Sequence, residues 1–218
     1  MALLELSNIS YAVKDKTIIR NVSLAVNEGD YLTIVGPSGS GKSTLLKLCS
    51  DLISPTLGSI TYNGRNLTAI EPESYRKEVG YCFQRPYLFA KTVRRNILFP
   101  YDIRGMKPDM ERIKLLFDLL HMPMEYFERC NDELSGGEMQ RICLIRSLIF
   151  EPKVLLLDEV TSALDSVNTA IVEQVIDELY KNGITIVSIT HNEEQSLRSA
   201  NRRITIIDGS IAKEEVLR

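Results

Sequence analysis

One run of small and polar residues has the spacing of a phosphate-binding loop, G-x-x-x-x-G-K-[ST]. The run consists of Gly36, Pro37, Ser38, Gly39, Ser40, Gly41, Lys42, Ser43 and Thr44. Glycines without a Cβ let the backbone curl so that its N–H groups point inward, and the following helix directs its positive dipole end to the same point. Lys42 suits the outer phosphates of a nucleoside triphosphate, and the Ser43 hydroxyl suits Mg²⁺. A glycine-rich turn that binds nothing is the alternative.

Two carboxylates follow a run of four apolar residues, 154–157, that reads as a buried strand. In open α/β sheets, ligands bind beyond the carboxyl ends of the strands. Asp158 is therefore a candidate partner for Mg²⁺, directly or through a bound water. Glu159 is a candidate base for the water that attacks a γ-phosphate. A pair of surface acids at a strand end is the alternative, and the phosphate-binding loop upstream argues against it.

A third motif, residues 134–138, places Ser135, Gly136 and Gly137 at the predicted start of a helix. Exposed N–H groups and a hydroxyl at the positive end of a helix form a second anion site. Taken alone, this motif is better interpreted as an ordinary helix N-cap.

Composition excludes several classes of protein. With 44% hydrophobic residues, 25% charged residues and a net charge of −3, the chain is typical of a globular domain without a nucleic-acid patch. Residues 1–5 predict no signal sequence, and no apolar stretch approaches the ~18 residues of a membrane helix, so action at a membrane requires a partner. The four cysteines have no C-x-x-C spacing and predict buried free thiols rather than a metal site or disulfides; they are Cys49, Cys82, Cys130 and Cys143.

The elements that position these motifs alternate between strand and helix patterns. Strands are predicted at 3–9 and 17–26, with Tyr11 in a short connection between them, and at 31–35 before the loop. After Gln84 the pattern becomes helical. One helix is predicted over 92–98 and stops at Pro100, a second begins at about 108, and a third covers 135–150. Strand patterns return from 151, around a helix whose apolar residues recur every fourth position; they are Val167, Ile171, Val175 and Leu179.

This order predicts an α/β fold with a mainly parallel sheet covered on both faces, preceded by a β-rich start. The chain is long enough for one domain or for a domain with an inserted subdomain. We divide it into a nucleotide-binding core, residues 1–84 and 151–218, and a helical subdomain, residues 85–150.

Together the three motifs resemble those of the nucleotide-binding subunit of an ATP-binding-cassette (ABC) transporter, and residues 134–138 match the signature of that family. The resemblance covers nearly all 218 residues. It implies a RecA-like P-loop NTPase core with an N-terminal antiparallel β subdomain and an inserted α-helical subdomain. It also implies a head-to-tail dimer, in which ATP and Mg²⁺ lie between the loop of one copy and residues 135–137 of the other. The implied second partner is an integral membrane permease, with this chain peripheral at the cytoplasmic face of the cell membrane, and no nucleic acid is involved.

The resemblance gives roles to further residues. Tyr11 resembles the aromatic residue that stacks on adenine, although an ordinary tyrosine at the edge of the core is the alternative. Gln84 resembles the glutamine that touches Mg²⁺ and the attacking water, rather than a simple polar loop residue. Asp165 resembles an aspartate at the dimer interface and is also a candidate helix N-cap. His191 resembles the histidine that contacts the γ-phosphate, whereas His121 is better interpreted as a helix-end residue than as a metal ligand.

The implied catalytic set is therefore Glu159, His191, Lys42 and Gln84, and the implied metal set is Ser43, Gln84 and Asp158. A narrower resemblance connects residues 75–104 and 147–165 with the ATPase subunit of bacterial Fet-type iron exporters, which implies iron export. Residues 128–133 lack the glycines found in many large fused exporters, which favours a separate small subunit. An importer subunit, a soluble ABC protein outside transport, and a nucleotide-dependent subunit with little turnover are the alternatives.

Overall fold

The computed structural model describes residues 2–190, 197 and 199–217. Within them the strands are β1 (Ala2–Val13), β2 (Lys16–Asn27), β3 (Tyr31–Val35), β4 (Leu57–Tyr62), β5 (Arg65–Asn66), β6 (Val79–Cys82), β7 (Val154–Asp158), β8 (Thr185–Ile189), β9 (Arg202–Ile207) and β10 (Ser210–Val216). The α-helices are α1 (Lys42–Cys49), α2 (Pro72–Glu78), α3 (Val93–Asp102), α4 (Met110–Leu119), α5 (Gly136–Leu148) and α6 (Ser166–Lys181). Short 3₁₀ helices span Leu67–Ala69, Met124–Glu128 and Asn131–Glu133.

The N-terminal sheet is antiparallel and has the order β2-β1-β4-β5. Strand β1 is longer than predicted, so the expectation that Tyr11 lies in a connection is wrong: Tyr11 pairs with Ile19 inside the sheet. The sequence predicted a strand end near Ile9 because the strand is irregular there. Asn8 has a φ of 52° and the register shifts around Ile9, which breaks the apolar alternation although pairing with β2 continues.

The second sheet has the order β10-β9-β3-β8-β7-β6 and is parallel except for its edge strand β10. Strands β7 and β8 are buried along their whole length, as expected for a parallel sheet covered on both faces. Ile34 pairs with Ile189, and Asp158 pairs with the same residue from the other side. The carboxyl ends of β3, β8 and β7 therefore meet at one edge of the sheet, and the predicted α/β fold is confirmed.

Helices α3, α4 and α5 lie between β6 and β7 in the chain, as the helical pattern predicts. The prediction that α3 stops at Pro100 is wrong, because the helix continues through Pro100 to Asp102. A proline costs the helix one hydrogen bond, but tertiary packing holds the last turn in place. Tyr101 is buried there and packs against Phe150 with ring centroids 4.9 Å apart.

In α6 the predicted apolar stripe is shifted at its start. Val167 is 69% exposed, and the buried face is made of Val172, Val175, Ile176 and Leu179. His191 lies outside the described residues, as do most of residues 193–200, where the sequence also predicts a helix. No helix in the described part of the chain is long and apolar enough to cross a membrane.

Three of the four cysteines are buried free thiols, as predicted, but Cys130 is exposed. Burial raises the pKa of Cys49 and of Cys82 to about 12, so both stay protonated. Nowhere among the described residues do three His, Cys, Asp or Glu side chains group as a metal cage would require. His121 has a φ of 50° two residues after the end of α4, which fits the helix-end interpretation.

Asn96 is a fully buried polar side chain that anchors the segment between Gln84 and α3. Its amide nitrogen donates to the carbonyl oxygens of Ala90 at 3.0 Å and Thr92 at 2.8 Å. Its oxygen accepts from the Ala90 N–H at 3.3 Å. Because buried polar groups are costly when unpaired, these bonds favour one conformation of the segment that follows Gln84.

Candidate active site

The predicted phosphate-binding loop connects β3 to α1 and packs tightly against its surroundings. A Cβ on Gly36 would overlap the carbonyl oxygen of Ile206, and one on Gly41 would lie 2.8 Å from the Ile19 side chain. Both glycines have positive φ angles, 141° and 105°. Only glycine therefore fits these two positions without displacing neighbouring strands.

Lys42 is buried beneath this loop. Its ammonium donates to the carbonyl oxygens of Gly36 at 2.9 Å and Pro37 at 3.0 Å. Burial lowers the pKa of Lys42, while the charges of Glu159 and Asp158 act in the opposite direction. Ser40 Oγ is also buried here and has no hydrogen-bond partner among the described residues. The loop therefore holds a cation and an unsatisfied hydroxyl where a triphosphate would bring acceptors.

Asp158 receives a hydrogen bond on each carboxylate oxygen. Ser43 Oγ donates to Oδ1 at 2.8 Å, and Tyr81 Oη donates to Oδ2 at 2.8 Å. Burial, and then the charge of Asp158, raise the pKa of Tyr81 well above its ordinary value, so the phenol remains a donor. The sequence prediction brought Ser43 and Asp158 together but missed Tyr81. Its only sequence signal is its place three residues before Gln84.

Glu159 follows Asp158 but contacts a different partner. It has a φ of 49°, a left-handed conformation that is uncommon for a residue other than glycine. Gln84 Nε2 donates to Glu159 Oε2 at 2.6 Å. The end of β7 thus presents one acid to the phosphate-binding loop and the next acid to the segment after β6.

At the signature motif, Ser135 caps helix α5. Its hydroxyl accepts from the Glu138 N–H at 3.3 Å, and the Glu138 carboxylate accepts from the Ser135 N–H at 2.7 Å. This reciprocal pair is a capping box, so the N-cap interpretation holds. A Cβ on Gly136 would meet none of the residues that the structure describes, whereas a Cβ on Gly137 would lie 3.0 Å from the Asn168 side chain.

Asp165 caps helix α6, as its alternative interpretation expects. It accepts from the backbone N–H of Asn168 at 2.8 Å and from the Asn168 side chain at 2.7 Å. These bonds lower the pKa of Asp165. Asn168, which the sequence prediction missed, therefore lies between Asp165 and Gly137. Tyr11 is partly buried and packs against the core between the two sheets, so the core-edge alternative for it stays open.

Comparison with known proteins places these motifs in a family. The family described as ABC transporter matches residues 19–162. The probable iron export ATP-binding protein FetA of Escherichia coli (strain K12) is 42% identical over 205 residues, which cover 94% of this chain and 91% of that protein. The lipoprotein-releasing system ATP-binding protein LolD 1 of Chlorobium chlorochromatii (strain CaD3) is 41% identical over 212 residues, 93% of this chain and 85% of that protein.

A third relative and a solved structure are also similar to this chain. The phosphate import ATP-binding protein PstB of Saccharolobus solfataricus is 35% identical over 221 residues, which cover 95% of this chain and 86% of that protein. A dimeric ATP-binding cassette, solved in a post-hydrolysis state with ADP and Pi bound, superposes with a TM-score of 0.88. It is 29% identical, and the match covers 99% of both chains.

Proposed function

This chain belongs to the ABC transporter family and is an ATPase subunit of such a transporter, and we propose that it powers the export of iron through a separate membrane permease. The observation that carries the catalytic part of the proposal is the meeting of three parts at one sheet edge. These are the phosphate-binding loop, the Asp158 carboxylate, which accepts a hydrogen bond from Ser43, and the Glu159 carboxylate, which accepts one from Gln84.

In the proposed site, Lys42 exchanges its loop carbonyls for the γ-phosphate, and the loop N–H groups hold the other phosphates. Ser43 Oγ and Asp158 Oδ1 lie 2.8 Å apart, and two oxygen ligands at this spacing fit Mg²⁺. The side-chain oxygen of Gln84 is the third proposed ligand. Bound Mg²⁺ supplies positive charge to the phosphates. Such sites act mainly by positioning and electrostatics.

Glu159 is the proposed base, and Gln84 orients its carboxylate through the 2.6 Å hydrogen bond. Glu159 accepts a proton from the water that attacks the γ-phosphate, or polarises that water. His191, which lies outside the described residues, is proposed to contact the γ-phosphate. Tyr11 is proposed to stack on the adenine from the edge of the N-terminal sheet.

We place the second wall of the site on another copy of the chain. A similar cassette with ADP and Pi is dimeric, and at the capped end of α5 no described residue lies within 4 Å of a Cβ placed on Gly136. In a head-to-tail dimer, Ser135, Gly136 and Gly137 of one copy would contact the triphosphate held by the other. Asp165 would lie at this interface while it caps α6.

Iron is proposed as the cargo because of the relative that is named as a probable iron export protein. A lipoprotein-releasing relative is 41% identical, close to the 42% of the iron export relative, and a phosphate import relative is 35% identical. A subunit of an importer is therefore the second candidate. In either case the chain would bind the cytoplasmic face of the membrane through its permease.

Vesicles test the cargo and the direction of transport. Inside-out vesicles from the host cell, supplied with ATP outside, should accumulate iron when they carry this chain and its permease. Vesicles with the Lys42→Ala chain are the matched control, and they should not accumulate iron because the phosphate-binding loop has lost its cation. ATP-driven loss of preloaded phosphate from the same vesicles, without movement of iron, would instead indicate phosphate import.

We place the permease on an apolar groove of about 340 Å³ between β6, α3 and the end of α5. Phe89 and Phe99 line it and pack edge to face, with ring centroids 4.4 Å apart, and both are exposed. Ile103, also in the groove, is 64% exposed. The residues that line the groove also include the cationic Arg76, Lys77, Arg104 and Arg146. A lining of apolar and cationic side chains fits an amphipathic helix that carries acidic residues.

Replacing Ile103 with glutamate should weaken capture of the permease by about tenfold, because apolar contact is lost and acidic residues are repelled. ATP binding by the isolated chain should not change. Leu115→Glu is the control, because Leu115 is 55% exposed on α4 and lies outside this groove. The measurement is co-purification of the permease with each tagged variant. Equal loss with both variants would argue against the groove.

A further inference from the structure

We infer that Tyr81 is a positioning residue that holds Asp158 in the orientation needed to bind a metal–nucleotide complex. The inference rests on the proposed function and extends it to a residue outside the motifs. In the described structure the two oxygens of Asp158 receive one hydrogen bond each, from Ser43 and from Tyr81. The two donors differ in their position relative to the proposed metal site.

Ser43 is itself a proposed metal ligand, so its hydroxyl lies on the side of Asp158 where the cation would be held. Tyr81 is not a proposed metal ligand. Its hydroxyl would stay on Oδ2 and leave Oδ1 facing the phosphate-binding loop. Asp158 is only 4% exposed, so bulk water is poorly placed to replace a lost donor.

The position of the Tyr81 hydroxyl is fixed from two sides. Tyr81 pairs with Leu156 in the parallel ladder between β6 and β7, two residues before Asp158. Its ring makes an edge contact with Phe83, with centroids 4.6 Å apart. One segment therefore delivers donors to both acids, Tyr81 to Asp158 and Gln84 to Glu159.

The other explanation is that the Tyr81 bond only stabilises the fold. A second tyrosine in the same chain separates the two explanations. Tyr62 Oη donates to Glu78 Oε2 at 2.6 Å, and its ring makes an edge contact with Tyr75 at 5.2 Å. Tyr62 lies in β4 of the N-terminal sheet, so it has the same type of bond and ring contact outside the candidate active site.

The test compares Tyr81→Phe with Tyr62→Phe in the full chain. Binding of a non-hydrolysable ATP analogue is measured with and without Mg²⁺, together with the thermal unfolding midpoint. We expect Tyr81→Phe to bind the metal-free analogue as the unmodified chain does. Its Mg²⁺ affinity in the presence of the analogue should fall by about tenfold, the effect of one lost hydrogen bond to a charged group. Tyr62→Phe should change neither binding measurement.

A double-mutant cycle with Asp158→Asn checks that the effect passes through this carboxylate. In the Asp158→Asn background, Tyr81→Phe should cause no further change in Mg²⁺ affinity. The inference is overturned if Tyr81→Phe leaves Mg²⁺ affinity unchanged, if it weakens metal-free and metal-dependent binding equally, or if its effect persists in the Asp158→Asn background. If the unmodified chain shows no Mg²⁺-dependent binding of the analogue, the proposed function fails instead.

Discussion

A chain with Glu159→Gln is expected to bind ATP and to dimerise with it, but to release phosphate more slowly by a factor of about 10²–10⁴, the usual contribution of a general base. The substitution preserves the size of the side chain and removes its ability to take a proton. The 2.6 Å hydrogen bond from Gln84 Nε2 can persist, because the substituted side chain at position 159 keeps one oxygen that accepts it. The effect should therefore fall on hydrolysis rather than on binding.

Steady-state phosphate release and size-exclusion chromatography with ATP make the two measurements. Glu111→Gln is the matched control, because Glu111 is exposed in the first turn of α4, and that variant should behave as the unmodified chain. Slow release that is accompanied by weak ATP binding would assign Glu159 to binding. Unimpaired ATP turnover by the Glu159→Gln chain would show that Glu159 is not the base.

Local patterns in the sequence were sufficient for the parts of the site that are continuous in the chain. The loop from Gly36 to Thr44 follows a buried strand, and Asp158 and Glu159 end another, so both could be placed at the carboxyl edge of a parallel sheet. The order of strands then decides which side chains meet across that edge. Because β6 lies next to β7, Tyr81 reaches Asp158 from 77 positions away in the sequence, a contact that no local pattern contains.

Two errors in the predicted ends of elements have the same cause, namely that packing overrode local preference. Pro100 predicted a helix end, but the buried Tyr101 continues α3 by another turn. Asn8 interrupts the alternation of β1, but pairing with β2 carries the strand past Tyr11. The left-handed conformation of Glu159 also has no signal in the residue type, because asparagine, aspartate and glycine are the residues that favour it.

The signature motif joins two interpretations that the sequence left as alternatives. Ser135 is a helix cap in each subunit, and in the proposed dimer the same capped end would meet a phosphate held by the second copy. Asn168 packs on Gly137 and donates a hydrogen bond to Asp165, so the N-terminal end of α5 is tied to the N-terminal end of α6 within one chain. Each site would then need an intact phosphate-binding loop from one chain and an intact signature motif from the other, which predicts how two defective chains behave together.

Two inactive variants, Lys42→Ala and Gly136→Asp, are expected to recover ATP hydrolysis when they are mixed. Lys42→Ala removes the cation beneath the loop, and Gly136→Asp places a negative charge where the partner's triphosphate would lie. In homodimers of either variant, every site carries one defect. In a mixed dimer one site carries both defects and the other carries none, so phosphate release should rise from background and peak at an equal ratio of the chains.

Gly136 is the right position for the charge because a Cβ added there would meet no described residue within 4 Å, whereas Gly137 packs on Asn168. An aspartate in the first turn of α5 also suits the helix dipole, so the variant should fold normally. Gly136→Asn, of similar size but uncharged, is the control and should retain more activity than Gly136→Asp. Hydrolysis by Gly136→Asp alone, or no recovery at any ratio of two folded chains, would contradict the shared site. Recovery would show that the phosphate-binding loop is half of an active site which a second chain completes.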